Sequence, residues 1–98
     1  MPANKYFSIR LELINECLRN TQKVWKLQLL VDAINGKLQD KYGVSTSKRT
    51  IQYDIEYLIQ HKDAPIRKRK EGKETIFFYS NKNFNLQQLQ IKEEEIRP

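Results

Sequence analysis

The sequence is poor in the residues from which reactive and metal centres are built. Its 98 residues include one cysteine, Cys17, and one histidine, His61. A single thiol excludes an internal disulfide, and the pair cannot form a zinc site of the usual Cys/His kind. Glycine occurs three times, at Gly36, Gly43 and Gly72, always isolated, so there is no glycine-rich phosphate loop. No nucleophile–histidine pairing and no closely spaced carboxylate pair stands out, and a chain this short has little room to line a deep cleft. An enzyme is therefore not expected, nor a metal or cofactor. No apolar run approaches the roughly 18–20 residues of a membrane span, and no apolar stretch of signal-peptide type follows Met1-Pro2-Ala3-Asn4-Lys5. The expectation is a soluble, cytoplasmic chain, away from membranes, that folds without covalent staples.

Positive charge is what the sequence has in excess. Eighteen Lys and Arg against twelve Asp and Glu give a net +6 and a pI of about 9.5. Such a balance in a small domain points towards polyanions. The excess is local: Arg67, Lys68, Arg69, Lys70 and Lys73 crowd one short stretch, while Glu93-Glu94-Glu95 sit near the end. Leu, Ile, Val and Phe make up 27 of the 98 residues. That fraction exceeds the roughly 20 % below which a charged chain stays disordered, so one small core is feasible. Internal repeats are absent.

Apolar spacing predicts three helices. Phe7, Leu11, Ile14 and Leu18 form one stripe of a helix over Tyr6 to Asn20, with Ile9, Leu13 and Cys17 beside it. Ser8 or Asn4 is the candidate cap. A second helix spans Lys26 to Tyr42, with Leu27, Leu30, Val31, Ile34, Leu38 and Tyr42 inside an arc of about 120°. Trp25 is placed to staple its start, and Gly43 to end it, since glycine takes the left-handed conformation without penalty. Of Ser45, Thr46 and Ser47, Ser47 is the favoured cap of the third helix, its hydroxyl reaching the Thr50 N–H. Ile51, Ile55, Leu58 and Ile59 give that helix a core face, and Arg49, Gln52, Tyr53, Glu56 and Gln60 an opposite polar face. It ends near His61-Lys62.

After Pro65 the period changes from 3.6 to 2. Ile66 to Lys70 and Glu74 to Tyr79 read as two strands around Glu71-Gly72-Lys73, with Gly72 supplying a positive φ. The first strand is cationic and the second β-branched and aromatic, so one holds the hairpin to the body while the other offers charge outwards. Leu86 to Ile96 has the pattern of a final helix. The fold class is mostly α with a small β-hairpin: a winged helix-turn-helix, three helices plus a wing, over residues 1–80. Residues 81–98 form a linker or C-terminal helix.

This arrangement suits double-stranded DNA. A major groove about 12 Å wide admits one α-helix whose N-terminal residues meet base edges. Arg49 has the reach for guanine and Gln52 for adenine, while Tyr53 suits stacking or a phosphate. Ser47, Lys48 and Thr50 would position the helix on phosphates through hydroxyls, charge and backbone N–H groups. Arg67, Lys68, Arg69, Lys70 and Lys73 would neutralise phosphates along the wing. Each feature has a plainer reading: a solvated helix face, and an edge strand whose cations discourage aggregation. Five bases exceed what edge protection needs. Asp54 would repel phosphate and is expected to pair with a nearby Lys or Arg; Glu56 is expected to face solvent. Phe77, Phe78 and Tyr79 read as core rather than a stacking platform, and Cys17 as a buried thiol.

The segment Val44-Ser45, then Ser47-Lys48-Arg49-Thr50-Ile51-Gln52-Tyr53-Asp54-Ile55, resembles the recognition segment of DeoR-type winged helices. More narrowly, the chain is similar to the N-terminal winged helix-turn-helix of bacterial WYL-domain transcriptional regulators. The likeness takes in Ile14 to Asn20, Trp25, Ala64-Pro65-Ile66, Phe77-Phe78-Tyr79 and Asn83-Phe84-Asn85-Leu86. It departs at Thr46, which lengthens the turn, at Lys26, where a threonine cap is usual, and at Asn81-Lys82, which replaces Asp-Pro. The resemblance implies sequence-specific duplex binding in transcriptional regulation, with a C-terminal sensor domain following in the family. Whether the chain is part of a longer regulator or a stand-alone reader stays open, as does a homodimer on paired half-sites. The alternative is a winged helix used for protein–protein contact or RNA.

Overall fold

Leu11, Ile14 and Leu18 recur at the interval that returns to one helix face each turn, and that face is buried in α1 (Phe7–Arg19). The computed structural model describes residues 6–81. α2 (Leu27–Tyr42) and α3 (Lys48–His61) bury Leu30, Ile34 and Leu38, and Ile51, Ile55 and Leu58, against it. These helices supply all seven of the largest fully buried side chains, among them Ile14 and Ile55. Each such Leu or Ile stabilises the fold by about 1.5–3 kcal/mol relative to exposure.

Around this junction lies a sheet of three antiparallel strands, β1 (Trp25–Lys26), β2 (Ile66–Glu71) and β3 (Glu74–Tyr79), in the order β1-β3-β2. The expected hairpin is β2–β3, with Glu71 opposite Glu74 across a two-residue turn. Gly72 takes φ +65° at the first turn position, where a type II′ turn uses glycine. β1 is a strand that periodicity does not reveal: Trp25 pairs with Phe77 and Lys26 with Ile76. Trp25 is thus a strand residue as well as the residue before the α2 cap position, buried in one core with Leu30 of the first turn, and its indole N–H donates to the Asn20 carbonyl at 2.9 Å.

The start of α1 differs from expectation: it has no side-chain cap, and neither has α2, where Lys26 stands at the cap position. Tyr6 precedes α1, Ser8 lies inside it, and Asn4 falls outside the described residues. The α2 stop is as expected, with Gly43 left-handed at φ 67° and its N–H on the Gln39 carbonyl. Tyr42 leaves the core stripe and is exposed, its ring 5.5 Å from that of Tyr6. The helix expected over Leu86 to Ile96 lies outside the described residues.

Two polar contacts join distant parts of the chain. Arg10 of α1 and Asp54 of α3 form a buried, two-pronged ion pair, Nε to Oδ2 at 2.6 Å and Nη2 to Oδ1 at 3.2 Å. The Tyr79 hydroxyl donates to Asn15 Oδ1 at 2.7 Å, tying β3 to α1. Among the described residues, every buried side-chain nitrogen and oxygen has a partner.

Candidate nucleic-acid interface

The turn into α3 is held from α2. Asn35 donates to the Thr46 carbonyl at 3.0 Å and accepts the Thr46 N–H at 2.7 Å, so its amide satisfies both backbone groups of one turn residue. Thr46, the residue that lengthens the turn, is therefore the one that is clamped. Ser47 follows in extended backbone and caps α3, its Oγ accepting the Thr50 N–H at 3.1 Å. The hydroxyls of Ser47 and Thr50 also share a hydrogen bond of 2.9 Å. The cap leaves the earliest N–H groups of α3 without intrahelical partners, an electropositive end suited to an anion.

Along α3 the sequence divides as its periodicity requires. Ile51, Asp54, Ile55 and Leu58 are buried, while Lys48, Arg49, Gln52 and Tyr53 are exposed. Tyr53 is 61 % exposed, far more than its size alone would give a partly packed aromatic. Arg49 Nε and Nη2 both donate to its hydroxyl oxygen, at 3.1 and 2.9 Å. Asp54 faces inward to Arg10, as a pairing role requires, and so presents no carboxylate to a polyanion. Glu56 is half-buried rather than free in solvent: Lys68 Nζ on β2 lies 2.9 Å from its Oε1.

The wing cations separate by strand register. Lys68 and Lys70 stand opposite Phe77 and Thr75, on the sheet face where Phe77 enters the core and Lys68 meets α3. Arg67 and Arg69 stand opposite Phe78 and Ile76, on the other face, where Arg69 lies 5.8 Å from the Phe78 ring and 3.2 Å from Glu71. Phe77 is core and Tyr79 half-buried, but alternation turns Phe78 outwards, 37 % exposed, against the expectation that all three pack inside. Lys73 lies at the turn. It shares one cleft with Thr75, with Lys48 and Gln52 of α3, and with Lys26 and Gln28 at the start of α2.

Of the expected site residues, the structure brings Ser47, Lys48, Arg49, Thr50, Gln52 and Tyr53 together at the start of α3. Lys68, Lys70 and Lys73 flank them, and Arg67 and Arg69 turn away. Lys48, Lys70 and Lys73 have no carboxylate partner among the described residues. Sequence reasoning missed Lys26 and Gln28, which it assigned only to a helix start. Lys26 Nζ bonds Glu74 at 2.6 Å, and that hydrogen bond and charge hold the ammonium above the ordinary lysine range. It missed Asn35 too, because a clamp across eleven residues has no local periodicity.

The described residues contain no cluster of His, Cys, Asp and Glu able to hold a metal ion. Burial pushes the Cys17 thiol up, away from the thiolate form that reacts. No helix among the described residues is long and apolar enough to cross a membrane.

A three-helix body, a capped third helix reached by a short turn and a three-stranded sheet with a cationic hairpin define a winged helix domain. The family model for the N-terminal winged helix domain of WYL domain-containing proteins matches residues 7–75. The chain belongs to that family. No curated protein and no solved structure matches it.

Proposed function

We propose that this chain is a sequence-specific double-stranded DNA-binding winged helix acting in transcriptional regulation. Residues 1–80 are assigned to the reader, and the linker or C-terminal helix expected after them falls beyond the described residues 6–81. The observation that carries the reading is the shared cleft of Lys48, Gln52 and Lys73, beside the exposed Arg49 and Tyr53. A polar helix face and the Lys73 ammonium of a separate hairpin converge there, while Glu74, also in the cleft, is paired with Lys26. A duplex needs that combination: donors for base edges at the centre and cations for phosphates at the rim.

In this mechanism α3 enters the major groove. Arg49 donates to guanine and Gln52 exchanges hydrogen bonds with adenine. Lys48 and the first N–H groups of α3, ordered by the Ser47–Thr50 cap, hold a phosphate. Lys70 and Lys73 neutralise further phosphates along the wing, and Lys68 adds one when released from Glu56. Arg67 and Arg69, on the opposite sheet face, contribute longer-range attraction rather than direct contact.

Binding is tested by competition among duplex DNA, single strands and RNA at one fixed salt. Arg49→Ala is expected to cost about 1–3 kcal/mol and relax preference at one base position. Lys70→Ala is expected to weaken all duplexes alike and flatten the plot of log K against log salt by about 0.9. If Arg49→Ala leaves affinity unchanged for every sequence, α3 is not the reader. A second reading, protein contact, is favoured by Val24 and Phe78, both exposed near Arg69 beside the outer sheet face. Under it, nucleic-acid affinity would be absent at any salt.

A further inference from the structure

Arg49 is restrained before any ligand arrives. Its Nε and Nη2 both donate to the phenol oxygen of Tyr53, one helical turn on, and its guanidinium carbon lies 5.4 Å from the ring centroid. Two donors on one oxygen occupy a single edge of the planar guanidinium. The other edge, formed by Nη1 and the second N–H of Nη2, keeps two parallel donors. That spacing matches two adjacent acceptors, as O6 and N7 of guanine present them in the major groove.

We propose that Tyr53 is the positioning residue for base readout: its hydroxyl oxygen holds one edge of Arg49 so that the opposite edge meets guanine end-on. This inference rests on the reading of α3 as the base-reading helix. The physical gain is preorganisation. A free arginine side chain samples many rotamers, and ordering it on binding subtracts from affinity for every base. Held by Tyr53, the fork is already oriented, so the gain falls on the base that presents two acceptors to that edge. A phosphate also accepts from arginine but lies at the groove rim, where the flexible lysines of the wing serve as well without orientation. Tyr53 needs no buried packing to do this, and its exposure makes it removable without disturbing the core.

The test compares the wild-type chain with Tyr53→Phe, Arg49→Ala and Arg49→Lys on a randomised duplex pool, sequenced before and after capture at one salt concentration. Equal thermal melts show that the variants fold. Tyr53→Phe keeps the ring and removes the acceptor. The expected result is that the wild-type chain enriches a guanine that Arg49→Ala and Arg49→Lys do not. Tyr53→Phe should lower that preference about two- to tenfold, the range of one net hydrogen bond. Replacing the enriched guanine by 7-deazaguanine, which lacks N7, should weaken the wild-type chain more than Tyr53→Phe. The proposal is overturned if Tyr53→Phe retains the full guanine preference, including the case where it weakens the whole pool evenly as loss of a phosphate donor would. In that case the base-reading role of α3 stands on the Arg49→Ala result. If the wild-type chain enriches no guanine, or Arg49→Ala enriches it equally, both the role of Arg49 and the positioning by Tyr53 fall.

Discussion

Arg10 and Asp54 meet where neither has water to fall back on, so each depends on the other's charge and hydrogen bonds. Removing one partner strands a buried charge, which costs about 3–5 kcal/mol, whereas replacing both by well-packed apolar groups is often neutral. Asp54→Ala should therefore lower the unfolding free energy by about that amount in urea denaturation, and the double change Arg10→Met with Asp54→Leu should recover most of it. Full stability in Asp54→Ala would mean the pair contributes nothing. The need for a basic partner was legible from Asp54 standing in a helix otherwise suited to a polyanion. The partner itself was not, because it comes from α1, 44 residues away. Ser47 is the opposite case: a cap acts on an N–H three residues on, so the spacing alone identifies it.

The wing and α3 are joined by Lys68 and Glu56, both nearly half-exposed, a kind of pair that contributes about 0–1 kcal/mol to stability. Its weight lies in binding instead. While Glu56 holds Lys68, that cation is partly neutralised before DNA arrives, and contact with a phosphate requires exchanging one anion for another. Glu56→Gln should leave the melting curve almost unchanged and raise duplex affinity, because Lys68 no longer has to leave a carboxylate to reach a phosphate. An unchanged affinity would show that Lys68 stays off the DNA. The two strands of the hairpin were legible in their alternation, and so was the charge of β2. Alternation alone did not say which of its faces turns to α3. That depends on the register with β3 and on Phe77 entering the core, which leaves Arg67 and Arg69 on the outside. β1 escaped notice because two residues carry no period.

Taken as one molecule, the fold is closed by Tyr79, whose hydroxyl reaches Asn15 across 64 residues and fastens the last strand to the first helix. Burial raises the Tyr79 phenol well above its ordinary value of 10.0. The folded state thus holds this proton more tightly than the unfolded chain does. The stability it contributes is complete below pH about 10 and is lost as the pH climbs beyond that. Stability measured by denaturant between neutral pH and pH about 11 should fall on the alkaline side. Tyr79→Phe should flatten that fall while lowering stability at neutral pH, since Asn15 loses its donor. An equally steep alkaline fall in Tyr79→Phe would assign it to other groups.

Helix faces, the Ser47 cap, the Gly43 stop, the Gly72 turn and the cationic strand could all be read along the chain. Each arises between residues a few positions apart, whose proximity is imposed by covalent connection. The third strand, the Arg10–Asp54 pair, the Asn35 clamp on Thr46 and the division of the wing cations emerged with the folded chain. Those contacts join residues from about ten to about fifty positions apart, and they exist because burying one shared apolar core forces the elements into a single mutual arrangement.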